Sequence, residues 1–217
     1  MKFVERIKGL FTSPDKTMED VAKDPRLEEA VIIVAIYAVV AAISGYITSS
    51  HLKYVSTDTT GVDISGFLSI ITIVTSLIAP FIMWVLISVV LYLFSMVFGG
   101  EGKFTSVLSA IGMSTIAKIF PAIVGLLLLT QAPYITAEFS STNTQGIVDA
   151  ALEFSKDPFV ILSSLVTLFG LLWSSLIGVF GIKHTEKISM TSAAIVVGVP
   201  LAVYIIIQYV PMLLNLL

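Results

Sequence analysis

Residues 158–182 read PFVILSSLVTLFGLLWSSLIGVFGI, twenty-five positions with no Asp, Glu, Lys, Arg or His among them. A helix needs about 20 predominantly apolar residues to cross the hydrocarbon of a bilayer. Asp157-Pro158 gives this one a start, a capping carboxylate followed by proline at the first helical position. Working outward, the gaps between ionisable residues mark further crossings, because a charge in hydrocarbon costs about 2.5–3.5 kcal/mol even on the mildest insertion scale. Ala30–Ser50 fits one crossing. Ile64–Gly100 is too long for one straight span, so it overruns an interface or bends at Pro80, where a missing N–H and a ring clash disturb the helical ladder. Phe104–Ala137 is interrupted once, by Lys118, and Ile188–Leu217 is the fifth stretch.

The whole chain agrees. Of 217 residues 56% are hydrophobic and 12% charged, about half the charged share of a soluble domain, and the mean hydropathy is +0.99. This composition excludes a cytosolic enzyme, a disordered protein and a nucleic-acid-binding module. The net charge of −3 is too small to ask for a polyanionic partner, and the absence of cysteine removes thiolate metal sites, Fe–S clusters and thiol nucleophiles. The expected fold is all-α, a polytopic bundle of five transmembrane helices with short interfacial helices. Residues 30–217 form the membrane domain, with spans at about 30–50, 67–98, 105–136, 158–182 and 190–212, and residues 1–29 form an amphipathic cytoplasmic segment.

Orientation follows from the basic residues. With the N-terminus inside, the cytoplasmic segments hold Lys2, Arg6, Lys8, Lys16, Lys23, Arg26, Lys103, Lys183 and Lys187, and the outer loops only Lys53 and Lys156, as the positive-inside rule requires. The C-terminus then lies outside. The outer loops are net negative through Asp58, Asp63, Glu138, Asp149, Glu153 and Asp157. The first apolar run begins only at residue 30, after Glu28 and Glu29, and so reads as a retained span rather than a cleaved signal. Phe3, Val4, Ile7, Leu10 and Phe11 share a helical face opposite Lys2, Glu5, Arg6 and Lys8, which predicts a short helix lying in the interface. Residues 147–155 predict a weaker one outside. Ser13-Pro14 and Asp24-Pro25 repeat the cap-and-proline pattern, the latter launching the first span.

The search for chemistry is mostly negative. There is no HExxH, the two histidines, His51 and His184, fall on opposite sides of the membrane, and no Asp or Glu lies inside a span. No catalytic, metal or cofactor-binding residue is expected. Gly99-Gly100-Glu101-Gly102 follows a helix rather than a strand and reads as a tight turn. Lys118 is the charge that needs explaining. Together with Ser106, Ala110, Ser114 and Ala122 it recurs at intervals of four, placing it on a small, polar stripe. Either Lys118 and Ser114 line a polar intramembrane site, or the helix breaks before Pro121 and Lys118 snorkels to headgroups from a surface helix over 104–118. In the fourth span Ser163, Thr167, Gly170, Ser174, Gly178 and Gly181 form a stripe of small residues that admits a close helix, in the same chain or in a second copy. Lys103, Lys183 and Lys187 are candidate contacts to cytoplasmic headgroups.

Several segments together resemble the YIP family of five-span membrane proteins: Phe11-Thr12-Ser13-Pro14 and Asp24-Pro25 before the first span, Gly99-Gly100-Glu101-Gly102-Lys103-Phe104 after the second, and Leu172-Trp173, Gly181-Ile182-Lys183-His184, Ile188-Ser189 and Ala193-Ala194. The resemblance implies a five-span topology with the N-terminus cytoplasmic. Eukaryotic members of that family interact with prenylated Rab-type GTPases in vesicle transport. This chain has only 29 residues before its first span and lacks their aspartate–leucine–tyrosine–glycine–proline motif. It therefore resembles the short prokaryotic branch, which implies a prokaryotic cell membrane as its location, and GTPase binding does not carry over. The expected function is that of a non-enzymatic membrane protein that organises the membrane or binds lipids, a second copy or another membrane protein. The alternative is a permease or channel component using a polar cavity near Lys118.

Overall fold

The computed structural model describes residues 1–56, 65–140 and 145–214; the outer-loop acids Asp58 and Asp63 lie outside them. In chain order the elements are α1 (Phe3–Thr12), α2 (Pro14–Lys23), α3 (Leu27–His51), β1 (Leu52–Ser56), α4 (Ser65–Met96), α5 (Phe104–Ser114), α6 (Ile116–Leu129), β2 (Ile135–Phe139), α7 (Gln145–Ser155), α8 (Pro158–Glu186) and α9 (Met190–Leu214). Helix α3, helix α4, α5 with α6, helix α8 and helix α9 are each long and apolar enough to cross a bilayer. The fold is thus the all-helical, five-span bundle that the charge gaps predict.

Side chains such as Val39, Ile43, Ile70, Leu86, Leu165 and Phe169 point outward on these helices, which is stable only where the solvent is hydrocarbon. The third span is the axis of the bundle. Half of its most apolar window is buried within the protein, against 11–22% for the other four.

Helix α4 runs unbroken through Pro80 for 32 residues, about 48 Å at 1.5 Å per residue, so the excess length is taken up by overrunning the hydrocarbon without interrupting the helix. The third span departs from expectation twice. It breaks at Thr115 rather than just before Pro121, and it ends at Leu129 rather than near residue 136. Beyond it, Ile135–Phe139 pairs in parallel with Leu52–Ser56, in register Leu52 with Ile135 through Ser56 with Phe139. The strand pair and α7 cover one end of the bundle. The other end, here the clasp end, carries α1, α2, the Gly99–Lys103 turn and the α8–α9 turn.

The core is lopsided. One buried cluster joins Leu10, Met18 and Val21 of the N-terminal helices to Ile33, Ala110, Met113, Ala117 and Ile177. A second unites Ala30, Val34, Leu91, Val107, Ile182 and Val196. Both draw on the halves of the spans nearest α1 and α2. A smaller third cluster, Leu52, Ala132 and Phe154, lies beneath the strands, and between it and the other two the bundle is open.

Candidate intramembrane site

The break in the third span is built from hydroxyls. Ser114 Oγ donates to the carbonyl of Ile111 at 2.8 Å, and Thr115 Oγ1 donates to the same carbonyl at 3.3 Å. The Thr115 N–H reaches back three residues to Gly112 O, and Lys118 N–H does the same to Thr115 O. Two side chains thus compete for a helical acceptor while the backbone tightens to a three-residue pitch. Helix α6 runs on through Pro121, whose ring packs against Gly170: a Cβ there would lie 2.9 Å from the Pro121 Cβ.

Lys118 consequently sits in the first turn of α6, about 21 Å along the span from Phe104 and about 17 Å short of Leu129 at helical rise. At that depth its four-carbon stem reaches neither end of the span. Lys118 lines a partly open cavity of about 900 Å³ to which all five spans contribute. Its Nζ stands 5.9 Å from the ring centroid of Tyr37 on α3, within cation–π range. Among the described residues it makes no ion pair within 4.0 Å. Ser114 and Ser174 face each other at 3.3 Å on the same wall, Ser44, Thr48 and Ser76 add hydroxyls, and Met83, Ile87 and Leu201 supply apolar surface. The α9 side is the least packed. That helix is anchored by Ala193, Val196 and Val197, while Val203, Tyr204, Ile206 and Ile207 are exposed.

The stripe on α8 is turned toward the third span of the same chain. Ser163 Oγ donates to Gly125 O at 3.0 Å, and a Cβ on Gly125 would lie 3.2 Å from Thr167 Cγ2. Gly170 accommodates Pro121, Ser174 meets Ser114, Gly178 lies beside Ile111, and Gly181 lies beside Ala110 and Met18.

The clasp end holds what periodicity misses. Arg6, assigned by spacing to the wet face of α1, is fully buried. Its Nε donates to Asp20 at 2.8 Å, Nη1 to Glu29 at 2.9 Å and Nη2 to the Asp24 carbonyl at 3.0 Å. Asp24 pairs with Arg26 at 2.6 Å instead of capping α3, whose first residue is Leu27. Glu29, a first-turn acid of α3, is also the second acceptor in this network. By contrast Asp157 caps α8 as expected, accepting from the N–H groups of Phe159 and Val160.

Helix α2 lies along α8. Met18 is fully buried, and Asp15 lies 2.7 Å from Lys183 Nζ and 2.8 Å from His184 Nε2. The hydrogen bond from Lys183, and then that from His184, hold the Asp15 carboxyl below its ordinary value. Lys183 is therefore occupied by Asp15, whereas Lys103 and Lys187 are exposed. Phe11 packs edge-on against Trp173, while the indole N–H that bonds into the bundle is that of Trp84, to Leu108 O at 2.8 Å. The glycine turn has a reason beyond its tightness. Glu186 is fully buried and accepts from Ser95 Oγ at 2.9 Å, and side chains on Gly100 or Gly102 would collide with it.

Five membrane-length helices packed around a hydroxyl-lined cavity define a five-span, all-helical integral membrane protein. The chain belongs to the Yip1 domain family, whose model matches residues 8–210. It is similar to an uncharacterized protein of the archaeon Methanocaldococcus jannaschii, 32% identical over 131 residues that cover 60% of this chain and 89% of the relative. No solved structure matches the chain.

Proposed function

We propose that this protein is a non-enzymatic membrane protein that holds lipid inside its bundle and presents the α1–α2 clasp as an organising surface on the cytoplasmic side. The open middle of the bundle carries this reading: a cavity of about 900 Å³ walled by all five spans, in a molecule otherwise closed by buried apolar clusters. A partly open cavity within a bilayer is bathed in lipid, and its volume falls within the range of about 300–1,000 Å³ typical of small-molecule sites. Native mass spectrometry of protein released gently from membranes is expected to show retained lipid. Bare protein from membranes of every composition tried would overturn the reading.

Nine basic residues against two support a cytoplasmic clasp. Because the chain has no cysteine, single cysteines report sidedness directly. In intact cells, Lys156→Cys is expected to react with an impermeant thiol reagent and Lys8→Cys to be protected; the reverse pattern inverts the topology.

The hydroxyls and Lys118 favour one second reading, passage of a small solute through the same cavity. Proteoliposome flux measured across a panel of ions and small solutes tests it, and silence across the panel removes it.

A further inference from the structure

We infer that the cavity takes a bilayer amphiphile bearing a single anionic headgroup, carboxylate or phosphate, with its head against Lys118 and its chain along the apolar wall of α4 and α9. The inference rests on the proposed lipid-holding function and names the class of lipid. Three observations carry it. Lys118 stands near mid-membrane on the cavity wall, faced by the Tyr37 ring and by no carboxylate among the described residues. A lysine at that depth is costly without a counter-charge or a polar cavity, and the remaining polar wall offers hydroxyls, which suit an anionic oxygen as well as they suit one another. The wall that runs away from Lys118 is hydrocarbon: Met83, Ile87 and Val90 on one side, and Val197 and Leu201 on the other.

One charge with an apolar corridor matches one acidic head with one chain. A small aqueous anion would satisfy Lys118 but leave the corridor empty. A zwitterionic lipid would fill the corridor but bring a cation of its own to the lysine. The cavity is partly open between the helices, so the ligand reaches the site from the leaflet.

Trp84 lines the cavity and is 9% exposed, which makes it a built-in reporter. The chain's other tryptophan, Trp173, packs against Phe11 and Phe169 and is removed as Trp173→Phe. In phosphatidylcholine vesicles doped with a brominated fatty acid or brominated lysophosphatidic acid, Trp84 fluorescence is expected to quench saturably. Lys118→Met is expected to weaken that quenching by about tenfold, a step typical of losing one charge-assisted contact, and Lys118→Arg to restore most of it.

Equal quenching by brominated phosphatidylcholine, unchanged in Lys118→Met, would overturn the headgroup assignment while leaving lipid binding intact. No quenching by any brominated lipid would overturn lipid binding itself. Relief of the quenching by millimolar inorganic phosphate in the aqueous phase would make the ligand a free anion and overturn the amphiphile. Native mass spectrometry probes the same headgroup preference without the tryptophan change: acidic lipid retained by the wild type and lost from Lys118→Met supports the inference, and equal retention sinks it.

Discussion

Arg6 and Lys118 both carry a basic group away from bulk water, and the chain treats them in opposite ways. Around Arg6 it assembles Asp20, Glu29 and the Asp24 carbonyl within 2.8–3.0 Å, matching a planar fork of donors with acceptors. Around Lys118 it sets an aromatic face and serine hydroxyls and supplies no carboxylate among the described residues. The first arrangement is complete, and its geometry leaves no room for a ligand. The second is open to an outside partner and has the cavity volume to receive one. The clasp is closed on itself, and the cavity is the part of the molecule with room to spare.

Substitutions that remove a packed or paired group should cost stability, and those that remove the unpaired one should not. Arg6→Ala strands Glu29 and Asp20, and its expected cost is the largest, about 3–5 kcal/mol as for other broken buried pairs, read as a drop in melting temperature in detergent. A silent Arg6→Ala would abolish the contrast. Gly170→Ala comes next. The new methyl would press on the rigid ring of Pro121, so about 1–3 kcal/mol is expected, and unchanged melting would mean that α6 and α8 are free to separate there.

Asp15 is a milder case because it is half exposed, and loss of its pairing in Asp15→Asn is expected to cost about 1 kcal/mol or less. Since Lys183 and His184 hold its carboxyl below the ordinary value, the ionised form is the stabilising one. The advantage of wild type over Asp15→Asn should stand at neutral pH, shrink once the pH falls below about 4, and vanish as it passes the depressed folded value. An advantage that grew on acidification would reverse the assigned charge. Lys118→Met should leave stability unchanged or raise it, since the cost of an unpaired intramembrane charge disappears. A large loss of stability would show that Lys118 is structural after all.

The five spans were legible because charge gaps and span lengths are one-dimensional properties, and the loneliness of Lys118 was visible for the same reason. What escaped the sequence depends on partners far along the chain. Pro121 looks like a helix breaker yet lies inside α6 against Gly170 of another helix, and the break at Thr115 falls at two adjacent hydroxyls that share Ile111 O. The third span stops at Leu129, ahead of Thr130, Gln131 and Pro133, and Ile135–Phe139 pairs with the strand after the first span in place of further helix. Helical periodicity sorts residues by type, and so it assigned Arg6 to water. Its acceptors at residues 20, 24 and 29 follow no helical repeat of α1. The small-residue stripe was readable as a packing face, but which helix it meets was not.

The Arg6 network also has an order in time. Its most distant partner, Glu29, lies only 23 positions along the chain, so all of its groups exist before the first span has been synthesised. The surface on which α2 rests, Gly181, Lys183 and His184, is made about 150 residues later. A nascent chain can close its N-terminal hairpin around a neutralised guanidinium and carry it, already formed, through the insertion of three spans until the fourth arrives to seat it.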